Sequence, residues 1–229
     1  MKQLIKTLLR SNLIKEGYIS LEEDIIDEMA YPASFNPEEF ENIKSFAGKQ
    51  KYVKERLLGK MGTGSARAVF KIDDEKVIKV ALNNKGIAQN ETEINNWAYS
   101  YDVLAKVFDS DIDNMWLEME LANKTTPKRF EQLTGLSIDD LSDFLRMSRG
   151  ETPRFNRLSK DKFDIIINDE GTWGRELSNF VNDYDYPIPG DFNRISSYGE
   201  VLRDGKPTIV LIDFGFDRSV SATHYNRRR

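Results

Sequence analysis

The chain contains no cysteine and a single histidine, His224. Without cysteine there is neither a disulfide nor a thiolate metal site, and one imidazole argues against a His-based zinc site and against a Ser-His triad. Long apolar runs are missing too. No stretch is long enough to span a bilayer. Residues Met1 to Lys15 are interrupted by Lys6 and Arg10, so they lack the unbroken apolar centre of a signal peptide. A cytoplasmic protein is expected, whether in a cell or in a host where the chain is made, with no membrane partner. A surplus of positive charge is also absent: Lys and Arg number 33 against 38 Asp and Glu, a net charge of −5. That balance disfavours broad nucleic-acid binding, and Arg227-Arg228-Arg229 reads as a small solvated tail. At 229 residues the chain can bury one sizeable core or two small lobes that share a cleft.

What is present centres on Leu57 to Leu82, LLGKMGTGSARAVFKIDDEKVIKVAL, which reads as strands joined by tight turns. The first turn carries Gly62 and Gly64, whose backbone N–H groups can close over phosphate oxygens without Cβ interference. In Val77-Ile78-Lys79-Val80-Ala81-Leu82 the only charge lies inside an apolar run. An unpaired buried ammonium would cost several kcal/mol, so Lys79 needs an anion. The next helix, about residues 85–101, offers Glu91 and Glu93. Ile87, Ile94, Trp97 and Ala98 mark its apolar stripe, Glu91 falls on that stripe and Glu93 roughly opposite, so Glu91 is the expected partner.

Ahead of this region, three short helices are expected: one with Leu4, Ile5, Leu8 and Leu9 on one side, one capped by Ser20-Leu-Glu-Glu23, and one opened by Asn36-Pro37-Glu38-Glu39 before Phe40, Ile43 and Phe46. They read as a brace for the sheet, or else as a docking arm. Residues 52–70 are expected to form a strand, the glycine turn and a second strand. Residues 104–108 and 115–121 should complete the sheet. Residues 124–168 read as polar and mostly helical, with Ser137-Ile-Asp-Asp140 capping a helix that bears Leu141, Phe144 and Leu145. A loop rich in Arg and Lys should follow over Arg149 to Lys162, and Thr172 should cap a further helix with Trp173, Leu177, Phe180 and Val181 on one face.

Two aspartates complete the candidate chemistry. Asp213 follows the apolar strand Thr208 to Ile212 and begins Asp213-Phe214-Gly215, while Asp191 follows Tyr186-Pro-Ile-Pro-Gly190. Glycine turn, strand lysine, helix glutamate, Asp191 and Asp-Phe-Gly occur in the order of the protein-kinase fold, and the chain resembles that superfamily over roughly residues 50–217. It is most similar to the small kinase-like proteins encoded by tailed phages, through Tyr31 to Phe35, Gly62 to Arg67, Lys85 to Glu91 and Ser196 to Gly199.

The resemblance implies an α+β, two-lobed fold: a helical extension at 1–50, a small antiparallel N-lobe sheet at 51–122 and a minimal helical C-lobe at 123–229. It implies ATP and Mg²⁺, with Gly62 and Gly64 over the phosphates and Lys79 paired to Glu91 holding them. Met119 would line the adenine pocket, with backbone groups of Glu120 and Ala122 at the adenine edge. Asp213 would hold the metal, and Asp191 would orient a hydroxyl of a protein Ser or Thr or of a small molecule. The chain departs from the pattern in four places. Arg67 replaces the third glycine, and the catalytic-loop histidine is missing. Ser196 stands where the metal-binding asparagine belongs, with Asn193 or Ser197 able to serve if the loop carries an insertion. After Gly215 the chain ends without the usual activation segment. These departures support a second reading, a catalytically silent structural or interaction protein, including one that partners other proteins of a phage particle.

Overall fold

The computed structural model describes residues 31–57, 59–97, 102–183 and 192–225. The first two expected helices, Ala98, Asp191 with the Pro-Gly run before it, and the tail at 227–229 lie outside the described residues. The architecture is α+β, with two antiparallel sheets and a set of short helices. Helices α1 (Pro37–Asn42) and α2 (Phe46–Arg56) come first. Asn36 accepts a hydrogen bond from the Glu39 N–H and Pro37 opens the helix, as the sequence indicates; Ser45 caps α2 in the same way through Gly48 N–H.

One expectation is corrected here. Tyr52 does not begin a strand but sits inside α2, so the boundary expected after residue 50 falls within a helix. The Ser45 cap and the basic last turn with Lys54 and Arg56 favour helix. The decisive term is tertiary: Tyr52 and Val53 are buried against Phe35, Phe40 and Trp116. The Tyr52 hydroxyl also donates to Glu39 and accepts from the Asn36 N–H.

Strands β1 (Lys60–Thr63), β2 (Arg67–Lys71), β3 (Lys76–Ala81), β4 (Val107–Ser110) and β5 (Trp116–Glu120) form one sheet in the spatial order β1-β2-β3-β5-β4, all antiparallel. The register sets Val69 opposite Lys79, and Lys79 opposite Leu117. Because side chains alternate across a pleat, this register sorts the residues into two faces. Ala68, Phe70, Ile78, Val80 and Trp116 meet α1 and α2 in one core. Val77, Leu117 and Met119 face the other way into a larger core with Phe130, Phe144, Leu177 and Phe180. Arg67 and Lys79 share the parity of this second face. Helix α3 (Asn84–Trp97) connects β3 to β4 and covers it.

The second sheet consists of β6 (Asn123–Lys124), β7 (Tyr198–Arg203) and β8 (Lys206–Leu211). A tight turn at Asp204-Gly205, both with positive φ (51° and 73°), closes the β7–β8 hairpin. The end of β8 is stitched to the segment before β4, with Ala105 N–H donating to Leu211 O at 3.0 Å and Leu211 N–H to Val103 O at 2.7 Å. That junction carries Asp213 to the open end of the first sheet.

Helices α4 (Pro127–Thr134), α5 (Leu141–Ser148), α6 (Lys160–Asn168) and α7 (Trp173–Asp183) fill the rest of the larger core. The loop over Arg149 to Lys162 is shorter than expected, since Ser159 caps α6 and the helix begins at Lys160. Nor is it merely solvated. The fully buried Asp143 carboxylate accepts from the backbone N–H groups of Arg154, Phe155 and Arg157 at 2.7–2.9 Å. Among the described residues no helix is long and apolar enough to cross a membrane.

Burial raises the Asp143 carboxyl, but the backbone donors led by Phe155 and Arg157 outweigh it and hold the group below its usual range. A carboxyl depressed on folding stabilises the protein above its unfolded value of about 3.9 and loses that contribution as pH falls below it. Asp143→Ala, which leaves the buried donors unmet, should lower unfolding free energy by about 1–3 kcal/mol in urea titrations at pH 7. The gap between variant and wild type should narrow as the titrations are repeated below about pH 4.

Candidate functional site

The ammonium on β3 finds its anion on α3. Lys79 Nζ donates to both carboxylate oxygens of Glu93, at 3.0 and 2.9 Å, and to the carbonyl of Ile212 at 2.6 Å. The expected partner Glu91 is exposed, while Glu93 is fully buried. Apolar periodicity misleads in α3 because the inward face is polar: Gly86, Asn90, Glu93 and Asn96 are buried, whereas Ile87, Ile94 and Trp97 lie half-buried on its flanks. A Cβ on Gly86 would lie 2.3 Å from Ala66 O and 2.9 Å from Ala81 Cα. Glycine there lets α3 approach β2 and β3 closely enough for Glu93 to reach Lys79.

The same carboxylate organises the segment after β8. Phe214 N–H donates to Glu93 Oε1 at 3.2 Å, and Phe214 itself is fully buried, edge-on to Phe180. Gly215 lies against α3, where a Cβ would meet Gln89 O at 2.6 Å. Asp213 is left with its side chain about half exposed (51%).

The site also contains Arg67, the residue that replaces a glycine of the kinase pattern. Its guanidinium donates to Glu93 Oε1 at 2.9 Å and Asp213 Oδ1 at 2.6 Å and lies 2.7 Å from Glu93 Oε2, with a longer contact to Asn90 Oδ1 at 3.4 Å. Lys79, Arg67, Glu93 and Asp213 thus form a tetrad of two cations and two anions. The signals for Arg67 and Glu93 were present in the sequence: residue 67 shares strand parity with residue 79 across the hairpin, and residues 86, 90 and 93 share a helix face.

Burial opposes charge on Glu93, but Arg67 and then Lys79 outweigh it and hold the carboxyl below its ordinary range. Burial likewise pushes the Lys79 ammonium down, with Glu93 opposing that push and Arg67 adding to it. Arg67 is desolvated as well, yet Glu93 and Asp213 together raise it, so the guanidinium stays charged. The centre is a compensated ionic cluster in which each charge depends on the others.

The turn glycines have a different setting. Gly62, on β1, has nothing within 4 Å of where a Cβ would stand, and the nearest atom at Gly64 is Arg67 O at 3.9 Å. Gly64 N–H closes the turn onto Arg67 O at 2.9 Å. The fold itself would accept alanine at either position.

Met119 is buried, paired across strands with Val77 and Val107. The Glu120 N–H donates to Lys106 O at 2.8 Å and its side chain accepts from Arg203 at 2.7 Å. Of the expected backbone contacts at residue 120, the N–H is therefore already engaged. Ala122 faces Gly199, where a Cβ would come within 2.4 Å of the Ala122 Cβ. Ser196 is exposed in a 3₁₀ turn (Ile195–Ser197), and the C=O of Ser197 accepts from Ile212 N–H at 2.8 Å. That bond ties the Asn193 loop to the residue before Asp213. Asn193 Oδ1 is buried without a hydrogen-bond partner among the described residues.

The Asn193 amide oxygen and the Asp213 carboxylate are each hard donors of the kind Mg²⁺ takes alongside substrate phosphates.

No family model matches the chain, and no curated protein matches it. The solved structures that resemble it include SAICAR synthase from Saccharomyces cerevisiae in complex with SAICAR, at 11% identity over 68% of this chain and 72% of that one, with a TM-score of 0.32. They also include the ternary complex of APH(2")-IIa with streptomycin and ATP, at 13% identity over 76% of this chain and 71% of that one, with a TM-score of 0.35. Likeness of this extent carries no functional argument.

The tetrad makes the two glutamates of α3 distinguishable. Glu93→Gln leaves two buried cations short of their shared anion and should cost about 3–5 kcal/mol of unfolding free energy. Glu91→Gln, on the exposed face, should stay within about 0.5 kcal/mol of wild type. Urea unfolding of the two variants side by side measures both, and equal losses would contradict the pairing.

Proposed function

We propose that the chain is a protein-kinase-like phosphotransferase that uses ATP and Mg²⁺ to phosphorylate a hydroxyl group on a protein or a small molecule. The observation that carries this reading is the triple engagement of Glu93 with Lys79, Arg67 and the Phe214 N–H, which ties strand, helix and the Asp-Phe-Gly segment into one centre. Phosphoryl transfer needs little covalent help from a protein; it needs fixed positive charge at the phosphates and a positioned acceptor. Lys79, oriented by Glu93, supplies charge beside the glycine turn. The open space at Gly62 and Gly64 supports a ligand there, since the fold gives no steric reason for glycine. Asp213 and Asn193 would hold Mg²⁺, which supplies neutralisation of the polyphosphate charge. Asp191 would orient the acceptor hydroxyl. In this reading the first sheet with α3 and the chain after residue 122 act as two lobes flanking the cleft, with α1 and α2 packed against the first sheet.

A second reading is favoured by one specific observation: Arg67 holds the Asp213 carboxylate that a metal would need. In that case the chain is a kinase-shaped interaction protein that has lost turnover, with other proteins of a phage particle as its partners if it derives from a phage.

Transfer of label from γ-phosphate-labelled ATP, with a generic protein substrate and with the protein itself as acceptor, separates the two. Metal-dependent transfer by the wild type that falls at least about 100-fold in Asp213→Asn is the expected result. Nucleotide binding without transfer would favour the interaction protein, and the lack of any nucleotide-induced thermal shift would remove the first reading. Gly64→Ala should keep or slightly raise stability, by less than about 1 kcal/mol. It should nonetheless weaken nucleotide binding about tenfold by blocking backbone approach to the phosphates.

A further inference from the structure

We infer that Arg67 is the resident counter-cation of Asp213, so that the site excludes free divalent metal and admits nucleotide as its metal complex rather than as the bare anion. The inference about nucleotide rests on the phosphotransferase reading; the inference about metal stands on the geometry alone.

Four observations lead to it. The Arg67 guanidinium lies 2.6 Å from Asp213 Oδ1, within a direct ion pair. Arg67 is nearly buried, at 8% exposure, while the Asp213 side chain is half exposed, so solvent and solutes reach the carboxylate from the side away from the guanidinium. Asn193 Oδ1 is a buried acceptor with no partner among the described residues, on a loop bonded to Ile212. Finally, the tetrad balances two positive against two negative charges, so it offers no net attraction to either a bare polyanion or a bare cation.

A divalent ion approaching Asp213 meets a fixed positive charge on the same carboxylate. Unlike a lysine, Arg67 cannot lose its proton to make way. A polyphosphate approaching alone meets the half-exposed Asp213 carboxylate, while Lys79 and Arg67 are already engaged by the buried Glu93. Only a ligand that brings both signs satisfies both groups: Asp213 would hold its cation, and the Arg67 guanidinium would donate to its phosphates. Charge is conserved throughout, and no bond other than ionic contacts and hydrogen bonds changes. Arg67 therefore acts as a positioning and selecting residue. Removing it leaves Glu93 still paired with Lys79, so loss of Arg67 bares Asp213 without stripping the buried carboxylate of its last cation.

Manganese serves as the probe, because loss of the free-ion electron paramagnetic resonance signal reports binding without any catalysis. Wild type, Arg67→Gln, Arg67→Lys, Asp213→Asn and the double variant Arg67→Gln with Asp213→Asn are titrated with Mn²⁺ alone. Thermal shifts are then recorded for wild type with ATP in excess chelator and with ATP plus Mn²⁺. Arg67→Gln should bind Mn²⁺ at least about tenfold more tightly than wild type, since a fixed positive charge has left the site. The double variant should lose that gain. Arg67→Lys should bind Mn²⁺ more weakly than Arg67→Gln, because an ammonium keeps a positive charge at the site, but more tightly than wild type, because an ammonium can give up its proton as the metal binds. In the thermal arm, wild type should respond to ATP with Mn²⁺ and not to ATP in chelator.

Equal Mn²⁺ binding by wild type and Arg67→Gln would overturn the inference. So would Mn²⁺ binding by the wild type alone that Asp213→Asn abolishes, an outcome readable even if Arg67→Gln does not fold. An equal wild-type shift with ATP in chelator would overturn the claim about the metal complex. No shift with ATP under either condition would instead remove the phosphotransferase reading, while the manganese titration still decides the role of Arg67.

Discussion

The carboxylate of Glu93 is the group on which the rest of the centre depends. It is fully buried and receives the Lys79 ammonium, the Arg67 guanidinium and the Phe214 amide. An isolated carboxylate at that depth would be costly, as would either cation alone, and only their mutual contact makes the burial tolerable. Each partner comes from a different element, β3, β2 and the segment after β8, so the ionic cluster also acts as the register mark that aligns the first sheet, α3 and the second sheet. Close approach of backbone at Gly86 and Gly215 brings those elements within reach.

Around this cluster the molecule divides its tasks by sheet face. One face of the first sheet is sealed by α1 and α2 with an aromatic core of Phe35, Phe40, Tyr52 and Trp116. The opposite face presents Arg67 and Lys79 to α3 and to the Asp213 segment. A hydrophobic seal on one side and an ionic centre on the other follow from the two-residue period of the strands. The short chain after Gly215 continues this pattern, since Asp217 caps α8 (Arg218–His224) and accepts from Thr92 on α3. The C-terminal end therefore steadies the helix that bears Glu93.

Parts of this were legible before any coordinates. A lone lysine in an apolar strand implied a buried anion, and the Asn36-Pro37 cap and the strand before Asp213 stand where the patterns put them, whereas Ser137 closes a turn onto the Asp140 N–H and Asp140 stands at the N-cap of α5 without a side-chain bond. Other parts were not. The apolar stripe of α3 points to Glu91 rather than Glu93 if a helix turns its apolar side inward, whereas α3 turns inward the residues that complete an ionic site. Tyr52 reads as a strand former but is held in a helix by packing and by its hydroxyl contacts with Asn36 and Glu39. The loop after α5 reads as solvated charge, yet its backbone is gathered by Asp143, an acid whose burial no local pattern reveals.

The amino-acid sequence by itself determined that a charge at position 79 must be compensated, that glycine at 62 and 64 leaves backbone exposed in a turn, and that an apolar strand delivers an aspartate at 213, because these follow from local period and composition. Only the tertiary structure decided which acid meets Lys79 and that Arg67 closes on Asp213. Those pairings depend on how closely α3 approaches the sheet and on where β8 ends, distances fixed by contacts between elements far apart in the chain.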